Sequence, residues 1–104
     1  MQIIVSGRHF ELSDKLKDYA IEKTTRLERF YDRAQTAEVV FDKEALTHAC
    51  EIIVRADHHQ TFVAKENHED PYAALDATVK DIERQLTKHK EKFRNRKHPD
   101  GPAE

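Results

Sequence analysis

An α+β fold in the order β-α-β-β-β-α is predicted by three observations in this 104-residue chain. Two segments open with good helix caps, Ser13 and then Asp70 followed by Pro71, and each continues as an apolar stripe at helical spacing. His48–Ala56 alternates, with Cys50, Ile52, Val54 and Ala56 on one face and Glu51, Ile53 and Arg55 on the other. Asp57–Gln60 is short enough that the strand after it must return antiparallel as a hairpin. The length bounds the answer to one domain.

The first strand is Gln2–Arg8, with Ile3 and Val5 on one face, Ile4 on the other, and Gly7 weakening its end. Behind the Ser13 cap, Leu16, Tyr19, Ala20, Leu27, Phe30 and Tyr31 give helical spacing through about Asp32. Thr36–Asp42 is the second strand, with the apolar run Val39, Val40 and Phe41, and Lys43–Thr47 turns into the third. Thr61–Glu66 completes the hairpin, with Phe62 and Ala64 on its inner face. In the last helix Tyr72, Leu75, Val79, Ile82, Leu86 and Phe93 form one stripe for more than twenty residues. Domain 1–95 is thus expected, followed by a short disordered tail over 96–104.

A helical crossover makes the first two strands parallel if they are neighbours, while hairpins make the others antiparallel. The result is a four-stranded mixed sheet. Each helix has a single apolar stripe, so both are expected on one face of the sheet, leaving the other to water.

The formal charge of -2, from 18 Lys+Arg and 20 Asp+Glu, argues at first against a nucleic-acid partner. Its distribution argues the other way. Arg84–His98 holds seven basic residues and one acid, Glu91, for +6, so the remainder of the chain carries -8. Arg84, Lys88, Lys92 and Arg96 recur every four residues as a ridge on the last helix. Like charges so spaced cost a helix roughly 0.2–0.5 kcal/mol per pair. They can be a solvated face, favourably placed at a helix C-terminus, or a ridge that tracks phosphates. Arg26, Arg29 and Arg33 lie along one flank of the first helix, diluted by Glu22 and Asp32. Lys23 falls within that helix's apolar stripe, either as a snorkelling chain or as a cation emerging between the two helices. His89 sits among lysines, where a protonated ring would aid anion binding.

Nothing argues for an enzyme. The only glycines are Gly7 and Gly101, so no phosphate loop is present, and no nucleophile has a supporting motif. Of seven histidines, His58 and His59 are adjacent on a turn, and none belongs to a metal-binding pattern. Cys50, the single cysteine, excludes an intramolecular disulfide and reads as a packed side chain. No cofactor, metal or small-molecule substrate is expected. No apolar run reaches the ~18 residues of a membrane span, and the N-terminus lacks signal-peptide features, so a cytoplasmic protein is the default. No strand carries the paired exposed aromatics that stack bases.

Several segments resemble one family. Asp70-Pro-Tyr-Ala-Ala-Leu-Asp76, then Arg84-Gln-Leu-Thr-Lys-His-Lys-Glu-Lys92, is similar to the second-helix signature of the ribosome hibernation promoting factors. These proteins, formerly called sigma-54 modulation proteins, include ribosome-associated inhibitor A. Ile3-Ile-Val-Ser-Gly-Arg-His-Phe-Glu-Leu-Ser13, Leu16-Lys-Asp-Tyr19 with Lys23, Leu27-Glu28 and His48 also match. Pro71 departs from the family's usual apolar residue but suits a helix start. The resemblance spans about residues 1–95.

The resemblance implies a fold similar in outline to double-stranded RNA-binding domains. It also implies binding to the small ribosomal subunit, through 16S rRNA, at the decoding channel over the A and P tRNA sites and the mRNA. Such binding would inhibit translation under stress or in stationary phase. Lys23, Arg84, Lys88, Lys90 and Lys92 match the family's rRNA-facing surface; Arg26, Arg29, His89 and Arg96 extend the candidate set. Long forms append a ribosome-dimerising domain, for which about ten residues after Phe93 leave no room. Short forms either promote ribosome dimers with a second hibernation factor or prevent them. The tail leaves both open, and the length points to the former. Two other readings stand beside this one. The chain could be an interaction module modulating a transcription factor of the sigma-54 type, or a general double-stranded RNA binder.

Overall fold

A computed structural model describes residues 1–96, with side chains described through Lys92. The Phe93 end of the predicted stripe, the side chain of Arg96 and the predicted tail beyond it lie outside the described residues. The elements are β1 (Gln2–Arg8), α1 (Asp14–Thr25), β2 (Ala34–Glu44), β3 (Thr47–Ala56), β4 (Thr61–His68) and α2 (Pro71–Arg96). The sheet runs β1-β2-β3-β4, with β1 parallel to β2 and both later pairs antiparallel. The predicted order and mixed sheet are what the chain adopts.

Both caps form. The Leu16 N–H donates to Ser13 Oγ at 3.2 Å, and the Tyr72 N–H donates to Asp70 Oδ1 at 3.0 Å. The far end of α1 differs from the sequence expectation. The α-helix stops at Thr25, and Arg26–Arg29 tightens into a 3-10 turn. Two β-branched residues, Thr24 and Thr25, crowd the last turn, and the Thr25 hydroxyl takes the Ile21 carbonyl at 2.6 Å. The Arg26 N–H is then shared between the carbonyls of Lys23 and Thr24. Leu27 is fully buried even so. The strands are longer than expected at β2 and β4, because ladder pairing carries on past the apolar runs to Glu44 and His68.

The core lies between the sheet's inner face and the two helices. Val39, Phe41, Ile52 and Val54 come from the sheet, and Leu16, Leu27, Leu75, Ile82 and Leu86 from the helical side. Each such side chain stabilises by roughly 1.5–3 kcal/mol relative to exposure. Thr78 fixes α2 to β3: its Oγ1 lies 3.1 Å from the Cys50 carbonyl and 2.7 Å from that of Ala74. The Cys50 thiol is packed as predicted, and burial pushes its pKa up to about 12. Gln85 reaches from α2 to β4, where its Nε2 donates to the Val63 carbonyl at 2.9 Å.

Gly7, next to last in β1, is required for a steric reason. A Cβ there would sit 2.5 Å from the Phe10 carbonyl oxygen, which folds back over it. No described element covers the sheet's other face. Ile4, Glu38, Ile53 and Val63 stand in register across it, with Ile4 53% and Val63 47% exposed.

Candidate nucleic-acid interface

Buried positions on α2 run through Ala74, Leu75, Thr78, Val79, Ile82 and Leu86 and stop there within the described side chains. The helix continues for ten residues more, about 15 Å at 1.5 Å per residue. Lys90 shows the change of surroundings. It follows Leu86 by four, in the direction of the apolar stripe, yet it is exposed.

Arg84 and Lys88 form a crest between two grooves. On one side Phe30, Glu83, Thr87 and Glu91 complete a groove of about 350 Å³. On the other, Ala64, Lys65, Asp81 and Gln85 complete one of about 530 Å³ against β4. Arg84 is 76% exposed and is tied to Asp81 at 2.9 Å, which offsets part of the like-charge repulsion along the ridge. Asp81 also raises the pKa of Glu66 above its ordinary value, as a hydrogen-bond acceptor for the protonated acid and as a neighbouring negative charge. Lys92 lies exposed one turn beyond Lys88.

The structure divides the other candidates. Arg26 and Arg29 are exposed on the 3-10 turn, where residues three apart share a side. Arg26 pairs with Glu22 at 3.3 Å. Phe30, just after that turn, walls the first groove. Lys23 is half-buried at the seam between the helices, its Nζ 5.4 Å from the centroid of the Tyr19 ring. The Tyr19 hydroxyl bonds Asp76, so Lys23 lies near the N-terminal half of α2. Asp76 and Lys88 are twelve residues apart, about 18 Å along the axis. Lys23 is therefore not on the crest.

His89 is half-buried and packs as an aromatic ring. Its ring stacks edge-on against Tyr31 at 5.2 Å and Phe62 at 5.3 Å, filling a wedge between α2, the start of β2 and the start of β4. Sequence reasoning also left out Lys65, which lines the β4 groove and pairs with Glu44 at 3.4 Å. Alternation along β4 puts it on the face opposite Ala64, so the sequence carried no signal that it borders this groove.

Among the described residues no group of three or more His, Cys, Asp or Glu side chains could hold a metal ion. No described helix is long and apolar enough to cross a membrane. What the arrangement offers chemically is a convex cationic crest, flanked by grooves and set on a rigid helix. Such a surface fits a polyanionic backbone.

Known proteins are similar over nearly the whole chain. The profile of the family described as sigma 54 modulation protein / S30EA ribosomal protein matches residues 3–94. A ribosome hibernation promoting factor of Azotobacter vinelandii is 38% identical over all of this chain and 96% of its own. The protein of that name from Escherichia coli is 31% identical over 90% of this chain and 98% of its own. The solved N-terminal domain of Protein Y from Thermus thermophilus superposes with a TM-score of 0.77 at 31% identity, covering 86% of this chain and 99% of that one. A ribosomal subunit interface protein from Coxiella burnetii gives 0.82 at 23% identity, over 88% and 99%, which bears on the fold alone.

Proposed function

The chain belongs to the sigma 54 modulation protein / S30EA ribosomal protein family, and from this we propose that it is a ribosome hibernation factor acting on the small ribosomal subunit. It binds 16S rRNA in the decoding channel, over the A and P tRNA sites and the mRNA path. By occupying these sites in the cytoplasm of stressed or stationary-phase cells, it keeps translation from starting. Its role is to occupy a site, and it needs no catalysis.

The observation that carries this reading is the exposed crest of Arg84, Lys88 and Lys92 along the C-terminal half of α2. Four-residue spacing sets these cations about 6 Å apart along the axis, a row of positive charge that can follow a phosphate backbone. Arg26 and Arg29 widen the surface, and Lys23 and Lys90 add charge on either side of it. Binding through backbone and shape agrees with strands that carry no exposed stacking aromatics.

Co-sedimentation with purified small subunits tests the reading. Binding is expected at low salt, and Lys88→Glu with Lys92→Glu should weaken it at least tenfold. No binding at low salt, or binding indifferent to both substitutions, overturns it. Plain duplex RNA as competitor separates a ribosomal site from general duplex affinity. A sucrose gradient of ribosomes with and without the protein reads dimer formation.

A further inference from the structure

The β3–β4 turn adopts a conformation its sequence does not favour. Asp57 to Gln60 close it through a Gln60 N–H to Asp57 carbonyl bond of 3.3 Å, with the Ala56 N–H on the Gln60 carbonyl at 2.9 Å. His58 and His59 have φ of 63° and 60°. Two successive left-handed residues are the pattern of a type I′ turn, which Asn-Gly fills without strain. Histidine holds it at a cost in both positions, and such strain concentrates where side chains have work to do.

The two imidazoles are exposed, and neither has a hydrogen-bond partner among the described residues. With Gln35, Arg55, Asp57 and Thr61 they rim a cavity of about 470 Å³. The charged groups facing it are Arg55 and Asp57. Arg55 lies 3.6 Å from Glu38 on β2, and the Asp57 carboxylate accepts from Gln35 Nε2 at 2.5 Å. From the segment before β2, Arg33 reaches the turn through its carbonyl, which accepts from the Asp57 N–H at 3.3 Å.

This turn lies at the same end of the molecule as the crest. Phe62, two residues past Gln60, stacks on His89, the neighbour of Lys88. We propose that His58 and His59, with Arg55, form a second phosphate-binding element that grips the RNA backbone when the imidazoles are protonated. The proposal rests on the ribosome-binding reading and adds to it a pH-sensitive contact away from the helices. Histidine is the side chain suited to this, because it gains charge between mildly alkaline and mildly acidic pH.

The variant His58→Asn with His59→Gly removes both imidazoles and suits the turn better than the native pair, so it should fold. Affinity for purified small subunits is measured at pH 8 and pH 6 at one salt concentration. In parallel, the imidazole resonances of the free protein are followed by NMR with and without inorganic phosphate. The wild type is expected to bind about fivefold to tenfold more tightly at pH 6. The variant should match it within about twofold at pH 8 and lose most of the gain. A variant that keeps the gain overturns the proposal. If the wild type does not bind subunits at all, the phosphate arm decides. A phosphate-dependent shift in the titration of His58 and His59 then keeps the anion site and sinks the ribosome reading, and no shift sinks both.

Discussion

The Tyr19 hydroxyl lies 2.8 Å and 3.0 Å from the two carboxylate oxygens of Asp76, joining α1 to α2 across the seam where Lys23 emerges. The Tyr19 ring also stacks edge-on against Tyr72 at 5.1 Å. Burial and the neighbouring carboxylate hold the phenol in its neutral form and raise its pKa from 10.0 to about 12. A raised value in the folded state means that this stabilisation is complete below pH 10 and is lost as the pH climbs from 10 towards 12. Tyr19→Phe should cost about 1 kcal/mol near neutrality, because the carboxylate loses its partner. Urea midpoints at pH 8 and pH 11 check both effects: the wild type should lose more stability than the variant over that interval.

Affinity for small subunits should fall with salt. With about four phosphates neutralised, a log–log slope of roughly -3 is expected. Lys88→Ala should make the slope shallower by about 1, as one phosphate contact is lost. Tyr19→Phe should leave it unchanged. Binding isotherms at several salt concentrations read all three.

The wedge formed by His89 separates packing from recognition. His89→Ala should lower stability by about 1 kcal/mol through loss of its contacts to Tyr31 and Phe62. His89→Phe should restore stability and keep the wild-type salt slope. A slope shallower by about 1 in His89→Phe would show instead that the ring reaches a phosphate.

Gly7→Ala should destabilise by about 1–3 kcal/mol, because the new methyl meets backbone at the Phe10 carbonyl and not a yielding side chain. In a domain of this size that is a fall in Tm of roughly 4–8 °C per kcal/mol. A scanning calorimetry trace checks it.

The fold was legible because its signals are local. Ser13, Asp70 and Pro71 announce helix starts by capping chemistry, and β3 announces its inner face by alternation that packing then obeys at Cys50, Ile52, Val54 and Ala56. The end of α1 was not legible. Leu27, Phe30 and Tyr31 are three and four apart, a spacing that a helix and a 3-10 turn followed by a bend satisfy equally well. What separates them is the Thr25 hydroxyl competing for the Ile21 carbonyl. The crest could be read from charge spacing alone. The place of His89 could not, since Tyr31 and Phe62 reach it from 58 and 27 positions away in the chain. For the same reason the strained conformation of His58 and His59 is a fact of the hairpin's closure and not of the dipeptide.

A sheet with two outer strands and a face that no described element covers is an invitation to self-assembly, since a second chain can extend the ladder from either edge. The bond from Gln85 to the Val63 carbonyl closes one of those routes near its middle. An incoming strand laid along β4 would find that acceptor taken and the α2 side chain in its path. Lys65, two residues on, would further oppose it by placing a charge at the edge. The helix that carries the basic crest thus also guards β4 against becoming a template for aggregation.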